Sequence, residues 1–263
     1  MLHTTIGILG GGVMGTVLLR SLRAVYPAAR LIVCDRDPVR LRRLRVFKDV
    51  QLTRESRELD RVKVVVLAVK PQDFPSAKFS LRKDTLVISI MAGVSIRRLR
   101  TKTGAKKIIR AMPNTAAKFG KGFTAWTVTK SVSRSERQFA ARLFRHMGDE
   151  LEVPDEEKID KATAVTGSGP AYLFYTLQCF TEAARRIGFS RDAALRMVRQ
   201  TFNGAHALLR DESDLEKLIR QIASKGGTTE VALRTFKDGN LRALWAAAIR
   251  NAFRRAKRLS QLR

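Results

Sequence analysis

The sequence predicts an α/β fold, with an amino-terminal doubly wound parallel sheet followed by an all-helical carboxy-terminal domain. Three observations carry that prediction. Apolar, β-branched runs recur through the first half, at residues 5–9, 31–34, 62–69 and 86–90, and alternate with segments of helical spacing. The first run ends in a glycine cluster that leads directly into a helical segment. Beyond Pro154-Asp155-Glu156-Glu157 the β-branched runs stop and helical periodicity takes over. The expected division is therefore an α/β domain over residues 1–154 and a helical one over 155–263.

Residues 5–9 form the first strand, and residues 13–24 the first helix, with Val17, Leu18 and Leu22 on one side. Between them the glycines fit G-x-G-x-x-G at Gly10, Gly12 and Gly15. In a dinucleotide-binding (Rossmann) unit the first makes the tight turn, the second lets backbone approach a pyrophosphate, and the third lets helix pack on strand. Val13 and Met14 open the helix whose free N–H groups and dipole favour that anion. The second strand, 31–34, ends at Asp35, twenty residues after Gly15, where an acidic side chain meets ribose hydroxyls. Arg36 follows it. Pro38 suits the first turn of a second helix, which Leu41, Leu44 and Phe47 continue.

A weaker β-α unit spans 50–59. The strand at 62–69 runs through Ala68 and Val69 into Lys70-Pro71-Gln72, and the strand at 86–90 into Met91-Ala92-Gly93. A further strand, 107–112, leads into Pro113-Asn114-Thr115. A strand at 123–128, a helix at 136–147 and a short strand at 151–153 close the first domain. Ligands of doubly wound sheets bind beyond the carboxyl ends of the strands, where these glycine-rich and polar loops fall. The candidate cofactor residues are thus Gly10, Gly12, Val13, Met14, Gly15, Asp35, Arg36, Ala68, Val69, Lys70, Pro71, Ala92, Gly93 and Asn114. On the residues alone, Lys70 can equally end a strand in solvent, and Asn114 can equally form an Asx turn after Pro113.

In the second half a helix from about residue 157 meets Thr166-Gly167-Ser168-Gly169-Pro170, where two glycines and a proline demand a break or kink. It resumes at Ala171 and ends at Gly188. Ser190 is placed to cap a helix through 209, and Asp214 one through 223. Ser224-Lys225-Gly226-Gly227-Thr228-Thr229 interrupts the pattern. The last helix, 241–262, aligns Leu241, Leu244, Trp245, Ala248, Ala252, Phe253, Ala256 and Leu259 in one stripe, which must be buried on this domain or on a partner subunit.

Fifty-one Lys and Arg against 24 Asp and Glu give a net charge of +27, spread along the chain without interleaved aromatics. That pattern reads as an anion-attracting solvated surface, with no specific nucleic-acid site. No apolar run reaches the roughly 20 residues a membrane helix needs. Two cysteines, Cys34 and Cys179, and the absence of a signal-peptide pattern fit a cytoplasmic protein. His3, His146 and His206 have no ligand spacing, and no metal site is expected.

Five segments in order, Gly10–Gly15, Leu67-Ala68-Val69-Lys70-Pro71-Gln72, Met112-Pro113-Asn114-Thr115, Thr166-Gly167-Ser168-Gly169-Pro170-Ala171-Tyr172 and Gly226-Gly227-Thr228-Thr229, resemble pyrroline-5-carboxylate reductase over essentially the whole chain. The resemblance implies hydride transfer from NADPH or NADH to the C=N carbon of a cyclic imino acid, giving L-proline. It implies a homodimer interlocked through the helical domains, with dimers stacked into decamers in some members. It implies that Gly226, Gly227, Thr228 and Thr229 bind the substrate carboxylate or ring nitrogen, and that Ser168 and Gly169 line the same pocket. It also favours Lys70 near the cofactor. Thr229 is the candidate for the hydrogen bond to the imine nitrogen. Physically, a helix amino terminus bearing glycines and hydroxyls is a ready carboxylate site, although an ordinary interhelical turn has the same composition.

The chain departs from the family pattern at Lys225, where proline is usual, at Ala116, again in place of proline, at Lys121, where an acidic residue is common, and at Thr166. These departures leave room for a related imine reductase or a cofactor-binding regulator without turnover. Asp35 suits NADH, whereas Arg36 with Arg40, Arg42 and Arg43 tilts the reading toward NADPH.

Overall fold

The computed structural model describes residues 4–78 and 80–261. His3, and Leu262 at the end of the expected last helix, lie outside the described residues. Among the described residues, eight strands form one sheet: β1 (Thr5–Leu9), β2 (Arg30–Cys34), β3 (Val50–Thr53), β4 (Val64–Leu67), β5 (Leu86–Ser89), β6 (Lys107–Pro113), β7 (Gly122–Val128) and β8 (Gly148–Glu152). Their order is β3-β2-β1-β4-β5-β6-β7-β8. Neighbours are parallel except β6 and β7. That hairpin reverses at Gly120, which takes the left-handed φ of 65° that glycine tolerates.

Alternation along the strands divides the core between the two faces. Ile6, Ile8, Val64, Val66 and Ile88 are buried on one side, with Leu18 and Leu22 of the first helix. Leu9, Val65, Leu67 and Val87 are buried on the other, with Phe74 and Leu99. Within the apolar run at 62–69, the strand itself is Val64–Leu67, in register with Ile6–Leu9 of β1, and Lys63 and Ala68 extend its hydrogen bonds to Thr5 and Leu9.

The crossover helices of the sheet are α1 (Val13–Val25), α2 (Pro38–Leu44), α3 (Ile96–Thr103) and α4 (Arg134–His146). Asp37 caps α2 through Val39 N–H, and Pro38 occupies its first turn. Phe47 does not extend α2 as its spacing suggested. The helix stops at Leu44, and two short turns, Arg45 N–H to Arg42 O and Phe47 N–H to Leu44 O, bring the chain into β3. α5 (Glu156–Ala162) runs into a single π-helical stretch, Thr163–Gly167, at the predicted break. Then come α6 (Gly169–Arg186), α7 (Arg191–Leu208), α8 (Leu215–Ile222), α9 (Thr228–Asp238) and α10 (Leu241–Gln261). Ser190 and Asp214 cap α7 and α8 as expected.

The chain packs as two compact units. One holds the residues through Ser168 together with those from Ala252 onward, and the other is Gly169–Asn251. In the first, Ile159 of α5 is buried with Ala125 and Val153, so α5 packs with the sheet. The second buries few of its apolar side chains, leaving Phe174 and Tyr175 each 68% exposed.

Candidate active site

The glycine loop sits where the strand order turns, with β1 flanked by β2 and β4, which is where an open α/β sheet leaves a crevice. Gly10 has φ 109°, and a Cβ there would lie 2.7 Å from Ala68 O. A Cβ on Gly15 would lie 1.9 Å from Gly10 O. These two glycines shape the turn. Gly12 differs: a Cβ there meets nothing within 4 Å. It is the N-cap of α1 and supplies no capping side chain, so the first-turn N–H groups open onto free space. This cradle fits the pyrophosphate of a dinucleotide.

In front of the loop lies a cleft of about 1010 Å³. Of the expected cofactor residues, Gly12, Val13, Met14, Asp35, Arg36, Ala68, Val69, Lys70, Pro71 and Ala92 line it. Gly93 does not line it; its Cα faces Leu259. Asn114 also lies off the lining and is bonded to the protein. Its amide donates to Thr166 O at 3.0 Å, and its Oδ1 accepts from Ala116 N–H at 3.2 Å.

Asp35 is buried, and its carboxylate is already engaged. Oδ2 accepts from Gly11 N–H at 2.7 Å and Oδ1 from Asp37 N–H at 2.8 Å. Arg40 lies 3.4 Å from Oδ2. Asp35 therefore fixes the glycine loop to the end of β2. Burial, with Asp35 beside it, pushes the Cys34 thiol up to about 12, so Cys34 stays protonated. Arg36 pairs with Asp73. Arg20, Arg40, Arg43, Arg54 and Lys118 also border the cleft, which makes its mouth strongly cationic. Sequence reading did not find Arg20, Arg54, Asp73 or Lys118. Arg20 was findable, since Val13, Thr16, Val17 and Arg20 follow helical spacing on the face of α1 that carries the cleft. Nothing local to Arg54 or Lys118 marks them.

Asn114 ties the end of β6 to the π-turn, which Thr166 also closes by donating its hydroxyl to Ala162 O. Gly167 packs against Met112, where a Cβ would approach Cε to 3.1 Å. Ser168 ends this turn, its N–H bonded to Thr163 O at 3.0 Å, and Gly169 opens α6.

In the second unit Gly226 has φ 72°, and its N–H donates to Glu230 Oε2 at 2.6 Å. Gly227 is the N-cap of α9 and offers no side chain to the first turn. The N–H groups of Thr228 and Thr229 are thus left for a ligand, beside two hydroxyls. The expected Gly226–Thr229 segment thus forms a helix terminus, with the Glu230 carboxylate already on Gly226 N–H.

Residues 156–259 match the sequence model for pyrroline-5-carboxylate reductase dimerisation, and residues 5–93 that for NADP oxidoreductase, coenzyme F420-dependent. The chain is 34% identical to a pyrroline-5-carboxylate reductase of Synechocystis sp., over 97% of this chain and 98% of that protein. It is 32% identical to that of Mycobacterium leprae, over 97% and 96%. A solved pyrroline-5-carboxylate reductase from Coxiella burnetii superposes with a TM-score of 0.87 at 32% identity, covering 98% of both chains. With relatives at this identity aligned end to end, the chain belongs to the pyrroline-5-carboxylate reductase family.

Proposed function

We propose that this chain reduces the C=N bond of 1-pyrroline-5-carboxylate with NADPH to give L-proline, the last step of proline biosynthesis. The observation that carries the reading is the uncapped amino terminus of α9, where two threonines flank free N–H groups in a chain that also holds a dinucleotide cleft. When bound, the reduced nicotinamide supplies the hydride. Gly12, Val13 and Met14 would hold the pyrophosphate on the α1 terminus. Ala68, Val69, Lys70, Pro71 and Ala92 line the same cleft and would meet the rest of the cofactor. Gly227 and Thr228 would hold the substrate carboxylate, on the turn that Gly226 makes with its N–H on Glu230, Ser168 and Gly169 would border it, and the Thr229 hydroxyl would accept from the protonated ring nitrogen. An alkyl hydroxyl has no acidity suited to proton transfer near neutrality, so Thr229 orients an imine that arrives protonated.

NADPH is the preferred cofactor in this reading. The Asp35 carboxylate is occupied by backbone N–H groups, which leaves Arg43 and Arg54 to meet a 2′-phosphate, with Arg36 and Arg40 beside them in their pairs with Asp73 and Asp35. The working protein is a homodimer, open to stacking into a decamer, and acts in the cytoplasm. Residues 1–154 serve as its cofactor domain and 155–263 as its substrate and dimerisation domain.

The test is imine-dependent loss of absorbance at ~340 nm with each reduced cofactor. Expected are turnover, a lower KM for NADPH than for NADH, and a fall in kcat/KM of roughly 10- to 100-fold in Thr229→Ala. NADPH binding without turnover on this imine overturns the assignment and points to another imine or to a regulator.

A further inference from the structure

A buried charge cluster holds the end of the loop that follows β5. Arg110 of β6 is 2% exposed, and its guanidinium bonds Glu156 at 2.9 Å and Asp160 at 2.6 Å. The same Glu156 oxygen accepts the N–H of Ile96, the first residue of α3, at 2.8 Å. The far side of Asp160 is met by the end of α10, with Ser260 Oγ 2.8 Å from Oδ2. One turn earlier Lys257 pairs with Glu157 at 3.2 Å. Between these polar contacts Leu259 covers Gly93, whose φ is 68°, and a Cβ at position 93 would stand 2.9 Å from Leu259 Cβ. Residues 91–95 are thus pinned at Ile96 by Glu156 and covered at Gly93 by Leu259, while Met91 and Ala92 face the cleft.

We propose that Ser260 and Leu259 are positioning residues for the cofactor's nicotinamide half, acting through the loop at residues 91–95. The inference rests on the cofactor reading above. The strand order puts the Asp35 loop after β2 and the Ala92 loop after β5 three strand spacings apart, about 14 Å. An adenosine-phosphate fragment seated at Asp35 and Arg36 therefore does not reach the loop that Leu259 covers, whereas whole NADPH does.

The experiment compares Kd for NADPH and for 2′,5′-ADP, by fluorescence and calorimetry, in the full-length wild type, Ser260→Ala, Leu259→Ala and Ser260→Thr. Losing one hydrogen bond or the apolar cover should weaken NADPH about five-fold, with 2′,5′-ADP unchanged and affinity recovered in Ser260→Thr. Equal weakening of both ligands, which general destabilisation produces, overturns the proposal, as does unchanged NADPH affinity in both alanine variants. If wild type binds 2′,5′-ADP but not NADPH, the cofactor reading itself is what fails.

Discussion

Gly12 caps α1 and Gly15 lies in its first turn, yet a methyl group means different things at each. At Gly15 it collides with backbone 1.9 Å away; at Gly12 it projects into the open cradle. Gly15→Ala should therefore lower unfolding free energy by about 3 kcal/mol in urea titrations. Gly12→Ala should leave stability nearly unchanged and weaken NADPH roughly ten-fold. Equal stability losses in the two variants would contradict this division of labour. Cys34 gives a second check. With its thiol pushed up to about 12 by burial and by Asp35, it should resist a disulfide reagent near pH 8 until the chain is unfolded. The glycine spacing was readable because the whole pattern lies within six residues, although the reasons differ: Gly10 takes a left-handed φ, Gly15 closes on Gly10, and Gly12 leaves space open. Asp35 was readable as a position but not in its bonding, since only the folded chain brings Gly11 N–H to its carboxylate. Asn114 was likewise placed by its loop, while its tie to Thr166 crosses 52 residues of sequence.

Helix starts follow from local chemistry, and Ser133 closes a full capping box with Glu136 at the head of α4. The S-x-x-E signal stands in the sequence, beginning three residues before the start expected at 136. Burial pushes the Glu136 carboxyl up, but bonds from Lys107 and Ser133 outweigh it and hold the group below its ordinary 4.5. A carboxylate depressed in the folded state stabilises above its unfolded pKa, and that contribution disappears as pH falls through the folded value. Acid titration should thus cost wild type more stability below pH 4.5 than it costs Glu136→Gln. A parallel loss in both would exclude the ion pair as an acid-sensitive contact. The π-turn at Thr163–Gly167 and the antiparallel β6–β7 pair were not legible. Glycines and a proline announce a break without fixing its geometry. Strand direction depends on a turn whose two ends pair across the sheet.

At the scale of the whole molecule, the second unit cannot account for its own apolar surface. Phe174, Tyr175 and Leu244 are at least 65% exposed, and Tyr172 meets Trp245 edge-on with centroids 5.9 Å apart. The stripe along α10 predicted such a surface from sequence, because helical spacing is local; its covering partner is not. Within a family carrying a dimerisation segment at 156–259, a second copy is the expected cover. Tm should then rise with protein concentration over the micromolar range. Leu244→Asp should give a chain of monomer mass with little activity, and a fully active monomer would contradict that cover.

Hydride transfer to an imine carbon is the reaction proposed for this chain. Its most direct test is incubation of the protein with 1-pyrroline-5-carboxylate and NADPH carrying deuterium at the transferable nicotinamide position, followed by mass analysis of the product. Proline deuterated at the former imine carbon should form in step with loss of reduced cofactor. Cofactor oxidation without deuterated proline, or no oxidation by a protein that binds NADPH, would contradict it.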